Sequence, residues 1–363
     1  MKRFHPSWVA AAAAALLVAC SGGGEGDQSP RVTYGKLVTF GDSLSDVGTY
    51  DVGIVAAMGG GRYSINTGDA LNWTELLATT LGVDPLCPAE TGLNSAAELG
   101  GPVATVDHAG CYSYAQGGAR VTNPVGPGNA ALLALGDPSG ALGQLTKPVV
   151  SQIAAHLAAS GGSFAPDDLV TVLAGGNDLF MNVATFQAMV AGGVPVEDAT
   201  ATVVANMQTA GTELSGYVKT EIVAKGATRV VVVNVPDIAI TPSFLAEPDS
   251  QPLVEAMVQA FNAALATGLS GTESSVLQVD LYSTSKDQAA NPTQYGLTNV
   301  TTPACDLAGV LAELPTSLVC TTDTLVAGVT ETWAFADTVH PTPYGYKLIA
   351  QLVNIEMAKK GWL

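Results

Sequence analysis

The chain has 363 residues, of which 47% are hydrophobic and 13% are charged, so it can form a packed core and global disorder is not expected. Its 32 acidic residues against 14 basic ones give a formal net charge of -18. Phosphate backbones and anionic lipid headgroups repel such a chain, which argues against nucleic-acid binding and against electrostatic docking to a membrane.

The first 20 residues resemble a bacterial lipoprotein signal peptide. Lys2 and Arg3 supply a positive start, and the apolar run over residues 8–18 is too short to span a bilayer stably. The small residues before Cys20 resemble a lipobox, which implies cleavage before Cys20 and acylation of its sulfur. An ordinary signal peptide with an incidental cysteine is the alternative. The residue after Cys20 is Ser21 and not aspartate, which favours the outer membrane over the inner membrane. Several acyl chains would anchor the exported protein there firmly.

Residues 21–33 predict a flexible tether, because glycine, serine and acidic residues there leave no apolar anchor for folding. The tether would hold a folded domain away from the membrane. Residues 34–363 predict one domain, because no linker-like stretch divides them. The expected organisation is therefore a signal segment, a tether and a single globular domain.

Strands and helices alternate along the predicted domain. Continuous apolar runs predict buried strands at residues 36–40, 168–174, 230–235 and 275–281. Helical periodicity predicts helices at residues 73–81, 149–159, 196–225, 252–269 and 343–360. This alternation predicts an α/β fold, a three-layer α/β/α sandwich with a mainly parallel sheet. In such a sheet the active residues lie on loops at the carboxyl ends of the strands.

Two segments, residues 84–125 and 298–331, interrupt this alternation and are predicted to be ordered excursions near the site. They contain the four cysteines that remain after Cys20, and an even number in an exported chain suggests two disulfides. Three pairings are possible, and the sequence neighbours are expected to pair, with about 3 kcal/mol of stabilisation from each bond. A metal site is the alternative, but no C-x-x-C spacing occurs and histidines are few. The expected pairs are Cys87 with Cys111 and Cys305 with Cys320.

The stretch TFGDSLSDVG, residues 39–48, follows the first predicted strand and contains a candidate nucleophile. A serine hydroxyl is a weak nucleophile and needs a general base within hydrogen-bond reach. Ser43 lies where the strand should end, which favours it over the rival Ser45, and Asp46 is expected to support the loop. An ordinary turn, rich in glycine, aspartate and serine, is the alternative interpretation of the stretch.

His340 is the best candidate for that base, since histidine titrates near neutral pH. Asp337, three residues earlier, can fold back onto the imidazole and stabilise its charged form. A helix-cap region with an incidental histidine is the alternative. His5 is removed with the signal peptide, His108 lies in the first excursion, and His156 lies on a predicted helix where a surface or hydrogen-bonded role is expected.

Two glycine pairs are candidate sources of hydrogen-bond donors for an oxyanion, which acyl transfer requires. The segment 175–178, Gly-Gly-Asn-Asp, ends the second predicted strand, and the Asn177 amide can project from it into the site. Gly117 and Gly118 form the second pair, where a free backbone N–H can serve. Each pair taken alone is also compatible with an ordinary turn.

Taken in order, these blocks resemble the SGNH, or GDSL, hydrolase superfamily from about residue 37 to the C-terminus. The resemblance implies a flavodoxin-like α/β sandwich that hydrolyses carboxylic esters without metal or cofactor. No G-x-S-x-G sequence occurs, so a typical α/β-hydrolase is not expected. The blocks are Gly-Asp-Ser-Leu at 41–44, glycine at 118, Gly-Gly-Asn-Asp at 175–178 and Asp-x-x-His at 337–340.

The resemblance also implies a role for each residue. Ser43 would be the nucleophile, His340 the general base and then acid, and Asp337 the group that orients His340. The oxyanion hole would consist of the Ser43 N–H, the Gly118 N–H and the Asn177 side chain. Relatives often have an asparagine a few residues before the second glycine pair, where this chain has Ser113. That difference leaves Gly117 open as the donor, although Gly118 is favoured.

These observations predict an exported, lipid-anchored esterase or lipase that acts on a small-molecule or lipid ester. Glycan O-acetylesterase and lysophospholipase or acyltransferase activities are alternatives at the same site, because they share every catalytic residue. A binding lipoprotein that retains the fold without catalysis is the alternative from another class.

Overall fold

The computed structural model describes residues 32–363. The predictions for the signal segment, for Cys20 and for most of the tether lie outside these residues. The strands, in chain order, are β1 (Lys36–Gly41), β2 (Glu90–Leu93), β3 (Val103–Asp107), β4 (Asp168–Leu173), β5 (Arg229–Val233) and β6 (Val276–Val279). The helices are α1 (Gly53–Ala57), α2 (Trp73–Leu81), α3 (Val149–Ala159), α4 (Gly176–Ala191), α5 (Val196–Tyr217), α6 (Pro242–Leu245), α7 (Gln251–Gly268), α8 (Leu281–Ala290) and α9 (Pro343–Lys360).

The central sheet has four parallel strands in the order β1-β4-β5-β6. Alternate side chains point to opposite faces, as strand geometry requires. Side chains such as Val38 and Val170 pack with α3, α5 and α7 in one core, whereas Leu37 and Leu169 pack with α2 and α9 in another. Helices thus cover both faces, and the predicted three-layer α/β/α sandwich is confirmed.

All four predicted strands are present, with ends that differ by at most two residues from the prediction. Helices α2, α3 and α9 have the predicted bounds, and the long helix predicted over residues 196–225 consists of α5 followed by a π-helical turn, Val218–Val223. Helices α4 and α8 were not predicted from the sequence. Helix α4 begins within a Gly-Gly pair, which is also typical of a turn, and α8 buries only Leu281 and so has almost no apolar periodicity.

The first excursion lies alongside the sheet. Its residues 112–116 run beside β1: the Thr39 N–H donates to Tyr112 O at 2.9 Å, and the Gln116 N–H donates to Gly41 O at 3.1 Å. This pairing brings the glycine pair at 117–118 next to the end of β1. The excursion also contains an antiparallel hairpin, β2–β3, to which His108 is attached by a 2.8 Å hydrogen bond between its Nε2 and Thr91 Oγ1.

Both disulfides are present with the predicted pairing, Cys87–Cys111 and Cys305–Cys320. The first lies within the excursion that runs along β1, and the second lies within the excursion that precedes the last helix. Each bond therefore restrains a long loop that secondary structure alone would leave loosely held. No helix in residues 32–363 combines the length and the apolar character that crossing a membrane requires.

His156 differs from its sequence-based expectation. It is completely buried on α3, and neither ring nitrogen has a hydrogen-bond partner in residues 32–363. The imidazole stacks on Phe164 with ring centroids 4.5 Å apart, and the edges of Tyr114 and Phe40 also contact it. The expected surface or hydrogen-bonded role is therefore wrong. Burial, and then the charge of Lys36, lower the pKa of His156 to about 4.

This buried imidazole predicts acid sensitivity. In the unfolded chain the ring binds a proton below about pH 6.5, whereas the folded state resists protonation until about pH 4. The unfolded state thus binds more protons between these values, and the free energy of unfolding falls as pH falls through that window, by at most about 3 kcal/mol. Denaturant unfolding between pH 7 and pH 4 measures this loss.

The variant His156→Phe should reduce the acid-dependent loss of stability, because a neutral aromatic ring replaces the titrating one. His108→Gln is the matched control, since His108 lies outside that aromatic cluster, and its unfolding should keep the wild-type pH dependence. An unchanged pH dependence in His156→Phe would contradict the assignment.

Candidate active site

Ser43 lies two residues beyond the end of β1, at the carboxyl edge of the sheet. The strand end is held from α3 by Gln152, which is almost completely buried. Its Oε1 accepts the Gly41 N–H at 2.9 Å and its Nε2 donates to Gly41 O at 2.8 Å. Gln152 therefore satisfies both backbone groups of Gly41 and positions the loop that carries Ser43. Nothing in the local sequence indicates this contact, because the two residues are 111 positions apart.

The structure brings Ser43, His340 and Asp337 into one hydrogen-bonded chain. His340 Nε2 lies 2.8 Å from Ser43 Oγ, and His340 Nδ1 lies 2.8 Å from Asp337 Oδ2. An anionic carboxylate at Nδ1 favours the tautomer with the proton on Nδ1, which leaves Nε2 free to accept the serine proton. The chain can therefore move a proton from the hydroxyl to the imidazole.

Asp337 is ionised and rigidly held. Its Oδ1 accepts the N–H groups of Val339 at 2.9 Å and His340 at 2.7 Å, and its Oδ2 also accepts the Ser317 N–H at 3.0 Å. Burial alone would raise its pKa, but the charge of His340 and these hydrogen bonds outweigh burial and hold the pKa of Asp337 well below its usual value. Ser317, which belongs to the loop closed by Cys305–Cys320, was not predicted from the sequence.

Tyr63 packs against the imidazole and was also missed. Its ring centroid lies 4.7 Å from that of His340, and the tyrosine is buried. The phenol oxygen of Tyr63 occupies the space where a side chain at position 117 would lie, so only glycine fits there. Tyr63 thus connects the histidine to the glycine loop. An aromatic residue 277 positions from His340 gives no sequence signal for such a contact.

The two glycines of that loop differ in their hydrogen bonds. The Gly117 N–H donates to Asp46 Oδ2 at 2.8 Å. The N–H groups of Gly118 and Ser43 have no acceptor within residues 32–363. Gly118 also adopts a left-handed backbone conformation, with φ of 77°, which favours glycine. Of the two glycines, Gly118 is therefore the one with a free donor.

Asn177, in the first turn of α4, lies at the same edge. Its Nδ2 donates one hydrogen to Ala119 O at 2.8 Å, which ties the side chain to the glycine loop and leaves the second amide hydrogen available. Asn177 and Ser43 line the same cleft. The arrangement can thus offer hydrogen-bond donors to an oxygen that gains negative charge near Ser43.

The neighbours of Ser43 have structural roles. Asp46 Oδ1 accepts the N–H groups of Gly48 and Thr49, while its other oxygen holds Gly117, so it supports the loop as expected. Ser45 is completely buried, and its hydroxyl accepts the Trp73 indole N–H at 3.2 Å. The rival serine is therefore packed away from the cleft that Ser43 lines.

The cleft is mostly apolar and encloses about 1000 Å³ when its open mouth is included. Asp42, beside Ser43, is one of its few charged residues, and burial raises the pKa of that carboxyl to about 7. The described part of the chain contains no cluster of His, Cys, Asp and Glu residues that could hold a metal ion. Apolar residues along the walls include Leu44, Phe180, Ile238, Leu281, Leu297, Phe335, Val339 and Leu348.

A family model described as GDSL-like Lipase/Acylhydrolase matches residues 37–353. No curated protein sequence matches the chain. Similar solved structures include an extracellular lipase from Streptomyces rimosus, with 15% identity, a TM-score of 0.40 and coverage of 89% of this chain and 99% of the lipase.

Two other solved structures are similar at the same low level. A catalytic mutant of an acetylxylan esterase from Geobacillus stearothermophilus has 16% identity and a TM-score of 0.38, with 90% of this chain and 96% of the esterase covered. A GDSL-like lipase described as putative in its source, from Parabacteroides merdae, has 14% identity and a TM-score of 0.36, with 92% and 98% covered. These scores are too low to support an inference about activity.

Proposed function

The chain belongs to the GDSL-like lipase/acylhydrolase family, and from this premise we propose that it is a serine ester hydrolase with Ser43 as its nucleophile. Family membership supports hydrolysis of ester substrates. The observation that carries the finer proposal is the continuous chain from Ser43 Oγ through His340 to Asp337, with 2.8 Å at both hydrogen bonds. That geometry is what activation of a serine hydroxyl requires.

The proposed reaction has two halves. Ser43 Oγ attacks the ester carbonyl while His340 Nε2 takes the hydroxyl proton, and Asp337 stabilises the resulting imidazolium. The N–H groups of Ser43 and Gly118, with the Asn177 amide, hold the oxyanion. His340 then protonates the departing alcohol, and an acyl-enzyme remains. Water gives its proton to His340, attacks the acyl carbon and releases the acid, and the proton returns to Ser43.

The apolar cleft supports a substrate with an aliphatic acyl chain, since burial of each methylene contributes about 0.8 kcal/mol. A panel of chromogenic esters of increasing chain length, together with acetylated sugars and lysophospholipids, tests this on protein lacking residues 1–20. The kcat/KM is expected to rise with chain length until the cleft is filled. Activity confined to acetylated sugar would replace the esterase proposal with glycan deacetylation, and activity confined to lysophospholipids would replace it with a lysophospholipase.

Asn177→Ala is expected to lower kcat by about 100-fold to 1000-fold with a smaller change in KM, because one donor to the transition-state oxyanion is lost. Steady-state kinetics on a chromogenic ester measures the effect. The matched control is Asn182→Ala on the same helix, whose buried amide donates to Asp178 O. If both variants lose kcat equally, the loss reflects damage to α4 and the role of Asn177 is not supported.

The proposal for the location of the protein rests on the sequence alone. We propose that Cys20 is acylated after cleavage and anchors the exported enzyme in the bacterial outer membrane. Metabolic labelling with a fatty-acid analogue tests it: the full chain should carry the label and Cys20→Ser should not. Equal labelling of the two proteins would contradict acylation at Cys20.

A further inference from the structure

A second buried carboxyl group lines the cleft, away from the chain of Ser43, His340 and Asp337. Asp237 follows β5, and only 3% of its surface is exposed. Its Oδ1 accepts the Ala239 N–H at 3.1 Å and so caps the short helical turn Ile238–Ile240. Its Oδ2 has no hydrogen-bond partner within residues 32–363. Oδ1 of Asp237 is therefore occupied by the capping hydrogen bond, and Oδ2 can accept a hydrogen bond from a ligand.

No neighbouring group neutralises Asp237. The charge of Lys286 attracts Asp237, but the Lys286 ammonium pairs with Glu255 at 2.6 Å and makes no hydrogen bond to Asp237. Ser285 has no free donor, because its Oγ accepts the Asp237 N–H at 2.9 Å and donates its one hydrogen to Tyr282 O at 3.0 Å. Gln288 lines the same cleft, and its side-chain amide has no hydrogen-bond partner in the described residues. On this side of the cleft, Asp237 and Gln288 therefore have side-chain atoms that can still form hydrogen bonds with a ligand.

The surroundings define what such a pair can bind. Val235, Ile238 and Leu281 line the same cleft and would strip water from any ligand held there, which penalises a full charge more than a neutral group. An anion would also be repelled by the carboxyl group. Gln288 lies one helical turn after Ser285 on α8, and Ser285 Oγ accepts the Asp237 N–H, so Gln288 and Asp237 lie on the same wall. A hydroxyl group both donates and accepts, so it suits a carboxylate oxygen beside an amide N–H.

We propose that Asp237 and Gln288 form a hydroxyl-binding subsite, so that the preferred substrate is a neutral ester with a hydroxyl group in its acyl or alcohol part. This inference rests on the proposed ester hydrolysis at Ser43. The hydroxyl would donate to Asp237 Oδ2, and the remainder of the substrate would lie against the apolar walls. A buried hydrogen bond to a charged acceptor is strong enough to alter substrate selection about tenfold.

Two matched substrate pairs test the proposal on the wild-type enzyme. The acyl arm compares a chromogenic ω-hydroxyalkanoate with the alkanoate in which methyl replaces the hydroxyl. The alcohol arm compares monobutyrylglycerol with the branched alkyl butyrate in which methyl groups replace both hydroxyls. The kcat/KM is expected to be about tenfold higher for the hydroxylated member of one arm, and that arm identifies which side of the ester carries the hydroxyl.

The variant Asp237→Asn keeps an oxygen that can cap the turn but removes the charged acceptor. The ratio of kcat/KM between hydroxylated and methyl substrates should fall about tenfold, mainly through KM. Asp280→Asn is the matched control, because Asp280 caps α8 at an exposed position outside the cleft lining, and its ratio should remain that of the wild type.

The outcomes separate this inference from the proposed function. Hydrolysis of both members of each pair at equal kcat/KM would overturn the hydroxyl subsite while leaving the esterase proposal intact. Failure of the wild type to hydrolyse any ester would overturn the esterase proposal and, with it, the subsite. If folded Asp237→Asn kept the wild-type preference for the hydroxylated substrates, the assignment to Asp237 would be contradicted. If that variant does not fold, the kcat/KM ratios of the wild-type enzyme alone test the hydroxyl subsite.

Discussion

Ser43→Ala is expected to lower kcat for a short-chain chromogenic ester by about a millionfold, to the residual rate that binding and oxyanion stabilisation provide. The methyl group of the alanine cannot attack the ester carbonyl, and His340 then has no hydroxyl proton to accept. Ser43 is one of several polar residues at the carboxyl edge of the sheet, and removal of its hydroxyl leaves the cores on both faces unchanged. Circular dichroism and the unfolding midpoint should therefore match the wild type.

Ser45→Ala is the matched control for this variant, because it removes a hydroxyl only two residues away. Its hydroxyl accepts a hydrogen bond from Trp73 and does not contact His340. Loss of this hydrogen bond should lower the free energy of unfolding more than it lowers kcat. Near-wild-type turnover in Ser43→Ala, or an equally severe loss in Ser45→Ala, would contradict Ser43 as the nucleophile.

Asp337→Asn is expected to lower kcat by about 10000-fold at neutral pH. The amide can present its N–H₂ to His340 Nδ1, which would place the ring proton on Nε2, the nitrogen that must accept the proton of Ser43. The neutral amide also cannot stabilise the imidazolium that forms as the hydroxyl is deprotonated. Steady-state kinetics with enzyme of verified fold measures the effect.

Asp306→Asn is the matched control for this second prediction. Asp306 also accepts a backbone N–H from the residue three positions later, Gly309, at 3.0 Å, but it makes no hydrogen bond to a histidine. Its substitution should leave kcat within a few-fold of the wild type. If Asp337→Asn retained most of the wild-type kcat, the carboxylate would only shape the turn before α9 and would not support the histidine.

The parts of the fold that the sequence predicted are those with strong local patterns. The strand at Val230 to Val233 is continuously β-branched, and the helix at residues 149–159 has apolar residues on one stripe. Helix α8 was missed because Leu281 is its one buried residue, so its sequence has almost no apolar period, and the Asp280 cap alone does not predict a helix. The hairpin β2–β3 was missed for a similar reason, since four of the five residues of β3 are exposed.

The proposed reacting groups could be selected from the sequence because each occurs in a short block with its own chemistry, and the structure places both Ser43 and Asp337 within hydrogen-bond distance of His340. The residues that hold them were not predictable. Gln152, Tyr63 and Ser317 act through contacts across 111, 277 and 20 positions, and packing alone determines such contacts. Sequence patterns within one element carry no information about them.

The second excursion shows why this matters for function. Residues 298–331 have the composition of a loop, yet their Ser317 donates to the carboxylate that contacts His340, and the Cys305–Cys320 disulfide restrains that segment. The segment therefore belongs to the support of the site. The difference between the N–H groups of Gly117 and Gly118 likewise comes from a tertiary contact, the hydrogen bond from Gly117 to Asp46.

Reaction of the folded protein with a fluorophosphonate, followed by mass-spectrometric mapping of the modified residue, tests directly whether Ser43 is the nucleophile. We expect one phosphonyl group on Ser43, loss of hydrolytic activity in proportion to labelling, and no labelling of Ser43→Ala. Labelling at Ser45, or full hydrolytic activity in protein that remains unlabelled at Ser43, would contradict this assignment.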